Sequence, residues 1–205
     1  MSPAYTGDKK MKKAAVFLAD GFEEVEALTP VDYLRRAGVE VVTVAIPSPT
    51  TKKENIVTGS HKVPVIADTT FKEYLSKSRS ELPDLLFCPG GSVGAENLSN
   101  CAELLEHLEE CFDKGKYISA ICASPAVVLG KTKIPDGKKW TCYPGMSTES
   151  NEAYQLNYED KVFVTDGTLI TARAAGAAEE FSIELIRLLC GAETAKKVHD
   201  GTVQR

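Results

Sequence analysis

The chain has 205 residues and a formal net charge of −5, with 43% hydrophobic and 26% charged residues. This composition can bury a core and excludes an intrinsically disordered protein. The acidic balance argues against a nucleic-acid partner, because such proteins carry a basic face. The six cysteines form no CxxC pair and the three histidines show no zinc spacing, so we expect neither disulfides nor a metal site.

Residues 1–11 lack the apolar core of a signal peptide, and we expect a disordered lead-in before a single domain over residues 12–205. No stretch approaches the ~18–20 consecutive apolar residues of a membrane span, which argues against a membrane partner. Unpaired cysteines suit a reducing compartment, so the sequence predicts a cytoplasmic protein.

Short apolar runs alternate with segments of helical period, which indicates βαβ units and a mostly parallel sheet. The predicted strands cover residues 14–19, 39–46, 84–88 and 117–121, a hairpin within 56–66, a strand end at 140–143 and a pair at 161–165 and 168–172. The predicted helices cover residues 23–37 with a restart at Thr29-Pro30, then 101–112, 123–129, 177–190 and 192–199. The pattern predicts one α/β sandwich.

Cys122 lies between an apolar strand and a predicted helix, where a sharp turn exposes a nucleophile above the sheet. The free amides and positive dipole end of a helix favour a thiolate at this place. Its neighbours Ala120, Ala123 and Ser124 are small enough for a tight turn. Cys122 is therefore the candidate nucleophile, Cys88, Cys101, Cys111 and Cys190 are interpreted as packing residues, and the role of Cys142 is left open.

Two further turns follow strands and complete the candidate site. Gly90 and Gly91 have no Cβ, so their backbone amides can approach a substrate, and the amides of Gly91 and Ala123 are candidates for an oxyanion site. Glu26 follows the first strand; pressed against a thiol in a partly desolvated site, its carboxyl would hold its proton and donate a hydrogen bond.

These residues together resemble a known family. The segments 120–123 (AICA), 89–91 (PGG), 23–26 (EEVE) with 30–32 (PVD), and 34–38 (LRRAG) occur in the order typical of the ThiJ/PfpI superfamily. More narrowly, they resemble its Parkinsonism-associated deglycase branch, and the similarity runs from about residue 12 to about residue 198.

The resemblance implies a flavodoxin-like three-layer αβα sandwich, a homodimer and no cofactor. It implies a reactive Cys122 with a protonated Glu26, and substrate contacts at Gly90, Gly91 and Ala123. The implied activity is glutathione-independent conversion of methylglyoxal-type 2-oxoaldehydes to hydroxy acids (glyoxalase III), with reported removal of early glycation adducts from proteins. A redox-sensing, stress-protective chaperone that uses the same oxidisable cysteine is the alternative.

Three positions depart from the family pattern. Tyr143 stands where some members have a histidine, so any proton transfer by that histidine falls here to Tyr143 or water. Ser60-His61 replaces a Ser-Arg pair, and residues 173–176 (RAAG) replace an Arg-Gly-Pro-Gly loop. The family's proteases carry a histidine directly after the nucleophile, where this chain has Ala123.

Class I glutamine amidotransferases, which need a distant Cys-His-Glu triad, fit the three histidines poorly. His107 is expected on a solvated helix face and His199 in the tail, while His61 is at best a local neighbour of the site.

Overall fold

A computed structural model describes residues 11–48, 53–78, 81–149 and 152–204, so the predicted lead-in lies almost wholly outside the described residues. The nine strands of these ranges are β1 (Lys13–Leu18), β2 (Glu40–Ala45), β3 (Ile56–Thr58), β4 (Pro64–Ile66), β5 (Thr69–Thr70), β6 (Leu85–Cys88), β7 (Tyr117–Ile121), β8 (Phe163–Asp166) and β9 (Leu169–Ala172). Seven form one sheet in the order β5-β2-β1-β6-β7-β9-β8. All neighbours are parallel except β8 and β9, and β3 and β4 form a separate antiparallel hairpin.

Helices cover both faces of the sheet. They are α1 (Glu24–Arg36), α2 (Phe71–Ser78), α3 (Ser92–Ser99), α4 (Ala102–Asp113), α5 (Ser124–Val127), α6 (Glu152–Gln155), α7 (Ala178–Cys190) and α8 (Ala192–Thr202). Val16 and Leu18 pack with α1, α7 and α8, whereas Ala15 and Phe17 pack with α2, α3 and α4. Because successive strand residues point to opposite faces, the apolar run of β1 supplies both cores. The predicted αβα sandwich with a mostly parallel sheet is confirmed.

The topology places the candidate site. The chain leaves β1 towards β2 and β5, then returns across β1 to β6, β7 and β9. The boundary between β1 and β6 is therefore a topological switch point, where open α/β sheets bind ligands at the carboxyl ends of their strands. The turns after β1, β6 and β7 carry the segments that the sequence singled out.

The predicted helix restart at Thr29-Pro30 is wrong. One continuous helix, α1, runs through a buried Pro30. Proline removes one intrahelical hydrogen bond, but the apolar stripe of Ala27, Val31 and Leu34 is buried against the sheet and α7. Tertiary packing outweighs the local break.

The predicted strand end at residues 140–143 is also wrong. Trp140 forms a single isolated bridge to Tyr158, and its indole Nε1 donates a hydrogen bond of 2.7 Å to the carbonyl oxygen of Tyr154. The backbone N–H of Thr141 donates to Thr171 Oγ1 at 2.8 Å, so a side chain replaces a ladder partner. The β-like composition reflects burial rather than strand pairing.

The helix predicted over 123–129 is shorter than expected. Helix α5 covers only Ser124–Val127 and is followed by a 3₁₀ turn at Leu129–Lys131. Two consecutive valines and Gly130 are weak helix formers, which explains the early end.

The hairpin within 56–66 and the pair around Gly167 are confirmed as β3–β4 and β8–β9, while α2, α3 and β5 have no counterpart in the prediction.

Among the described residues, no helix has the length and apolar character needed to cross a bilayer.

Candidate active site

Cys122 occupies the corner between β7 and α5 in a strained backbone conformation. Its φ is +63°, in the left-handed region that non-glycine residues rarely adopt. The corner is held on both sides: Cys122 N–H donates to the Ala172 carbonyl at 2.9 Å, and Tyr143 N–H donates to the Cys122 carbonyl at 2.8 Å. Such strain persists only where its surroundings fix it, and it clusters at functional sites.

Glu26 lies in the first turn of α1, behind Cys122. Its side chain is 1% exposed, and Oε2 accepts a hydrogen bond of 3.1 Å from the Gly90 amide. Burial raises the pKa of Glu26 to about 7, and the nearby charge of Glu23 adds to the rise, while the hydrogen bonds from Cys122 and Gly90 oppose it. The carboxyl is therefore able to hold a proton near neutrality.

Cys122 and Glu26 are electrostatically linked. Burial, and then the charge and hydrogen bond of Glu26, raise the pKa of Cys122 to about 12, whereas the amides of Gly91 and Ala123 lower it. The contribution from Glu26 depends on its negative charge, so a proton on Glu26 removes it. Burial still holds the pKa of Cys122 above that of Glu26, so a proton shared by the pair lies on the thiol, and the amides of Gly91 and Ala123 are the groups that stabilise the thiolate once Glu26 takes that proton.

Gly90 and Gly91 bring the three turns into contact. A Cβ on Gly90 would collide with both the Glu26 carboxyl and the Cys122 Cβ. Gly91 has a φ of +88°, and a Cβ there would collide with the backbone of Gly21 and Phe22. The Glu23 N–H donates to the Gly90 carbonyl at 3.0 Å, which ties the turn after β1 to the turn after β6. Only glycine allows this approach.

A cavity of about 1290 Å³ opens above Cys122. Its walls come from the turn after β1, the β3–β4 hairpin, the start of α3, the start of α5 and the loop at Tyr143–Met146. Of the predicted site residues, Cys122, Ala123, Gly91 and Tyr143 line the cavity, and the Tyr143 side chain is 48% exposed. Glu26 and Gly90 lie behind Cys122.

The sequence did not reveal the contacts that the β3–β4 hairpin makes where it forms one wall of the cavity. His61 Nδ1 lies 3.0 Å from Glu24 Oε2 and 3.5 Å from Glu23 Oε1, and Ser60 Oγ donates to Glu23 Oε2 at 2.9 Å. Burial would raise the pKa of Glu24, but hydrogen bonds from backbone amides and from His61 lower it to about 2. The hydrogen bond that His61 donates to the Glu24 carboxylate, together with the charges of Glu23 and Glu24, raises the pKa of His61. These contacts join the β3–β4 hairpin to the start of α1. The two segments are far apart in the sequence, so no local motif predicts this cluster.

The expectation of a solvated His107 is wrong. His107 is 6% exposed, and its Nε2 lies 3.0 Å from Tyr74 Oη and 3.7 Å from Cys111 Sγ. His107 lies on the buried side of α4 and contacts Tyr74 of α2, a helix that the sequence did not reveal, whereas Glu103, Glu106 and Glu110 are exposed. His107 is not among the cavity-lining residues.

Comparison with known proteins decides the family. A sequence profile described as the DJ-1/PfpI family matches residues 12–188. The chain belongs to the DJ-1/PfpI family. The resemblance inferred from the segments around Cys122, Gly90 and Glu26 is thereby confirmed.

Two DJ-1 relatives match over almost their whole length. Protein dj-1beta of Drosophila melanogaster is 34% identical over 93% of this chain and 96% of its own. The Parkinson disease protein 7 homolog of Danio rerio is 32% identical over 91% of this chain and 94% of its own. Protein DJ-1 homolog B of Arabidopsis thaliana is 33% identical over 98% of this chain, which spans only 43% of that relative.

Solved DJ-1 structures share the fold. Oxidized DJ-1 of Toxoplasma gondii superposes with a TM-score of 0.83 at 33% identity, covering 94% of this chain and 98% of its own. A DJ-1 superfamily protein of Salmonella typhimurium gives a TM-score of 0.85 at 30% identity, covering 95% and 100%.

Proposed function

We propose that this DJ-1/PfpI protein is a cofactor-independent glyoxalase III that converts methylglyoxal-type 2-oxoaldehydes to hydroxy acids. The observation that carries the proposal is the placement of Cys122. A thiol on a strained corner faces the cavity, with the amides of Gly91 and Ala123 on one side and the buried Glu26 carboxyl behind it. This is the arrangement of an activated nucleophile with a proton carrier and an oxyanion site.

The first step is addition. Glu26 takes the proton of the Cys122 thiol, and the thiolate attacks the aldehyde carbon, forming a C–S bond while the carbonyl electrons move to oxygen. The amides of Gly91 and Ala123 stabilise the developing oxyanion. Glu26 then gives its proton to that oxygen, which yields a neutral hemithioacetal and leaves Glu26 as a carboxylate.

The second step moves hydrogen between the two substrate carbons. The Glu26 carboxylate takes the proton from the hemithioacetal carbon to give an enediolate and returns it to the neighbouring carbon, while the hydroxyl proton on the first carbon's oxygen passes to the oxygen of the second carbon. The first carbon is oxidised to a thioester and the second is reduced to an alcohol, so no external oxidant is required. Water cleaves the thioester, releases the hydroxy acid and restores the thiol.

Substrate contacts and partners follow from the same site. We propose that Gly90 fixes the distance between Cys122 and Glu26, and that Tyr143 contacts the substrate from the cavity wall. The cavity also has room for an early glycation adduct on a protein, which would make such adducts a second substrate. DJ-1 family proteins are commonly homodimers, and we propose a homodimer in the cytoplasm, where the six cysteines remain reduced thiols.

A redox sensor is the second candidate. Peroxide would oxidise the Cys122 thiolate through the sulfenic to the sulfinic acid, and Glu26 would donate a hydrogen bond to that product. The same geometry favours this reaction, and a related DJ-1 from Toxoplasma gondii has been solved in oxidized form. In this reading the oxidised protein protects against oxidative stress as a chaperone with little turnover.

Turnover of methylglyoxal without glutathione tests the proposal. Wild type and Cys122→Ser are compared for lactate formation, with Cys101→Ser as the matched control because that half-buried cysteine does not line the cavity. We expect activity in wild type and the control and none above buffer in Cys122→Ser. Full turnover by a folded Cys122→Ser would exclude the mechanism; no turnover by wild type, with clean peroxide oxidation at Cys122 by mass spectrometry, would favour the sensor.

A further inference from the structure

One cluster of side chains beside the cavity makes no contact with Cys122, although the charge of Glu23 adds to the rise in the pKa of Glu26. Glu23 and Glu24 come from the start of α1, and His61 comes from the β3–β4 hairpin. One donor atom of each, two carboxylate oxygens and an imidazole nitrogen, lies within 4.8 Å of the others. The cluster thus combines an imidazole with two acids from a distant part of the chain.

The spacing of these donors matches a coordination sphere. Zn²⁺ binds imidazole nitrogen and carboxylate oxygen at about 2.0–2.2 Å, so neighbouring donors of a tetrahedral site are roughly 3.4 Å apart. His61 Nδ1 lies 3.0 Å from Glu24 Oε2 and 3.5 Å from Glu23 Oε1. A metal ion between them replaces the contact of His61 Nδ1 with Glu24 Oε2 and displaces Ser60 Oγ, which lies 3.0 Å from His61 Nδ1 and 3.2 Å from Glu24 Oε2.

The outer oxygens of the cluster are already held. Glu24 Oε1 accepts hydrogen bonds from the His61 amide at 2.8 Å and the Val63 amide at 3.3 Å. Glu23 Oε2 accepts a hydrogen bond from Ser60 Oγ. Glu24 is 8% exposed, and Gly59 packs so closely on it that a Cβ there would overlap the carboxyl. Such outer contacts orient ligands in metal sites.

We propose that Glu23, Glu24 and His61 form a binding site for one divalent transition-metal ion, with Zn²⁺ as the best match. The two carboxylates balance the charge of the ion, and the mixed nitrogen and oxygen set suits this borderline metal. Three protein ligands leave a fourth position open. Because Glu23 and His61 line the cavity, that position faces the space above Cys122. The site does not depend on the reaction proposed for Cys122.

Binding of Zn²⁺ alone tests the site, measured at neutral pH by competition with a chromophoric chelator. We expect one ion per chain in wild type and affinity weaker by at least about tenfold in His61→Gln and in Glu23→Gln. Glu24 is left intact because the hairpin backbone depends on it. His199→Gln is the matched control, since among the described residues His199 Nδ1 pairs with one carboxylate, Asp200 Oδ1 at 3.4 Å. Circular dichroism and thermal unfolding confirm that each variant is folded.

Cys122 is the competing ligand, because a cavity-facing thiolate also binds Zn²⁺. Cys122→Ser should keep full affinity, and a Co²⁺ complex of wild type should lack a thiolate-to-metal charge-transfer band. The proposal is overturned if wild type binds no ion, if His61→Gln and Glu23→Gln bind as wild type does, or if Cys122→Ser alone loses the ion.

Discussion

The Glu26 carboxyl and the Cys122 thiol are hydrogen-bonded to each other beside the bare backbone of Gly90. The Gly90 amide donates to the Glu26 carboxyl at 3.1 Å, and a Cβ on Gly90 would collide with both the Glu26 carboxyl and the Cys122 Cβ. The close approach of the two residues that we propose as proton carrier and nucleophile therefore depends on a glycine.

Gly90→Ala should separate the reacting pair. The new methyl group meets Glu26 and Cys122 inside a packed core, so we expect a loss of roughly 1–3 kcal/mol in the free energy of unfolding, as for other overpacked sites. We also expect at least about tenfold lower methylglyoxal turnover, because misplacement of reactive groups is costly. Gly176→Ala is the control, since nothing lies within 4 Å of a Cβ built there. Equal turnover in the two variants would contradict the role given to Gly90.

Glu26→Gln should separate catalysis from oxidation. The amide keeps the shape of the side chain and can still donate a hydrogen bond, but it cannot accept and return a proton. We expect methylglyoxal turnover to fall by about 10²–10⁴-fold, the usual contribution of a general acid–base. Peroxide oxidation of Cys122, followed by mass spectrometry, should continue. If Glu26→Gln turns over as wild type does, the hydrogen transfer does not pass through this residue.

The strained corner predicts an order of stability between two variants. Both Cys122→Gly and Cys122→Ala remove the thiol, but only glycine adopts a φ of +63° without a steric penalty. We expect Cys122→Gly to be more stable than Cys122→Ala by about 1 kcal/mol, the cost of a left-handed non-glycine residue. Urea unfolding measures the difference. The reverse order would show that the corner is not strained.

The sequence predicted the elements whose signals are local. The apolar run of β1 and the strand–turn–helix at Cys122 could be read because burial on both faces and a sharp corner leave short-range patterns. The helix restart predicted at Pro30 is wrong because the local cost of a proline inside a helix is outweighed by the packing of α1, which only the fold reveals. His61 and Glu24 could not be paired, since their contact depends on how the β3–β4 hairpin folds over α1.

The burial of His107 predicts a specific loss of stability in mild acid. Burial lowers the pKa of His107 below its usual value of about 6.5, so the unfolded chain takes up this proton more readily than the folded one. The part of the free energy of unfolding that depends on a neutral His107 is therefore fully present above the usual pKa of histidine. It decreases as the pH falls towards the pKa of His107 in the folded protein. The groups around it are Tyr74, Cys111, Glu110 and Lys114.

Urea unfolding between about pH 5 and 8 measures this effect. Wild type should lose more free energy of unfolding below pH 6.5 than His107→Gln, whose amide keeps a polar contact to Tyr74 without titrating. Other groups titrate in this range, so the difference between the curves is the quantity of interest. Parallel curves for wild type and His107→Gln would contradict the prediction.

Tyr143 should affect substrate binding more than chemistry. Its backbone N–H holds the Cys122 carbonyl, and any residue other than proline keeps this contact, whereas its half-exposed ring belongs to the cavity wall. We therefore expect Tyr143→Ala to raise KM for methylglyoxal several-fold with little change in kcat, because an interaction made equally in the ground and transition states alters KM alone. Tyr143→Phe should stay close to wild type. A large fall in kcat for Tyr143→Phe would instead mean that the phenol transfers a proton, in place of the histidine that some family members carry.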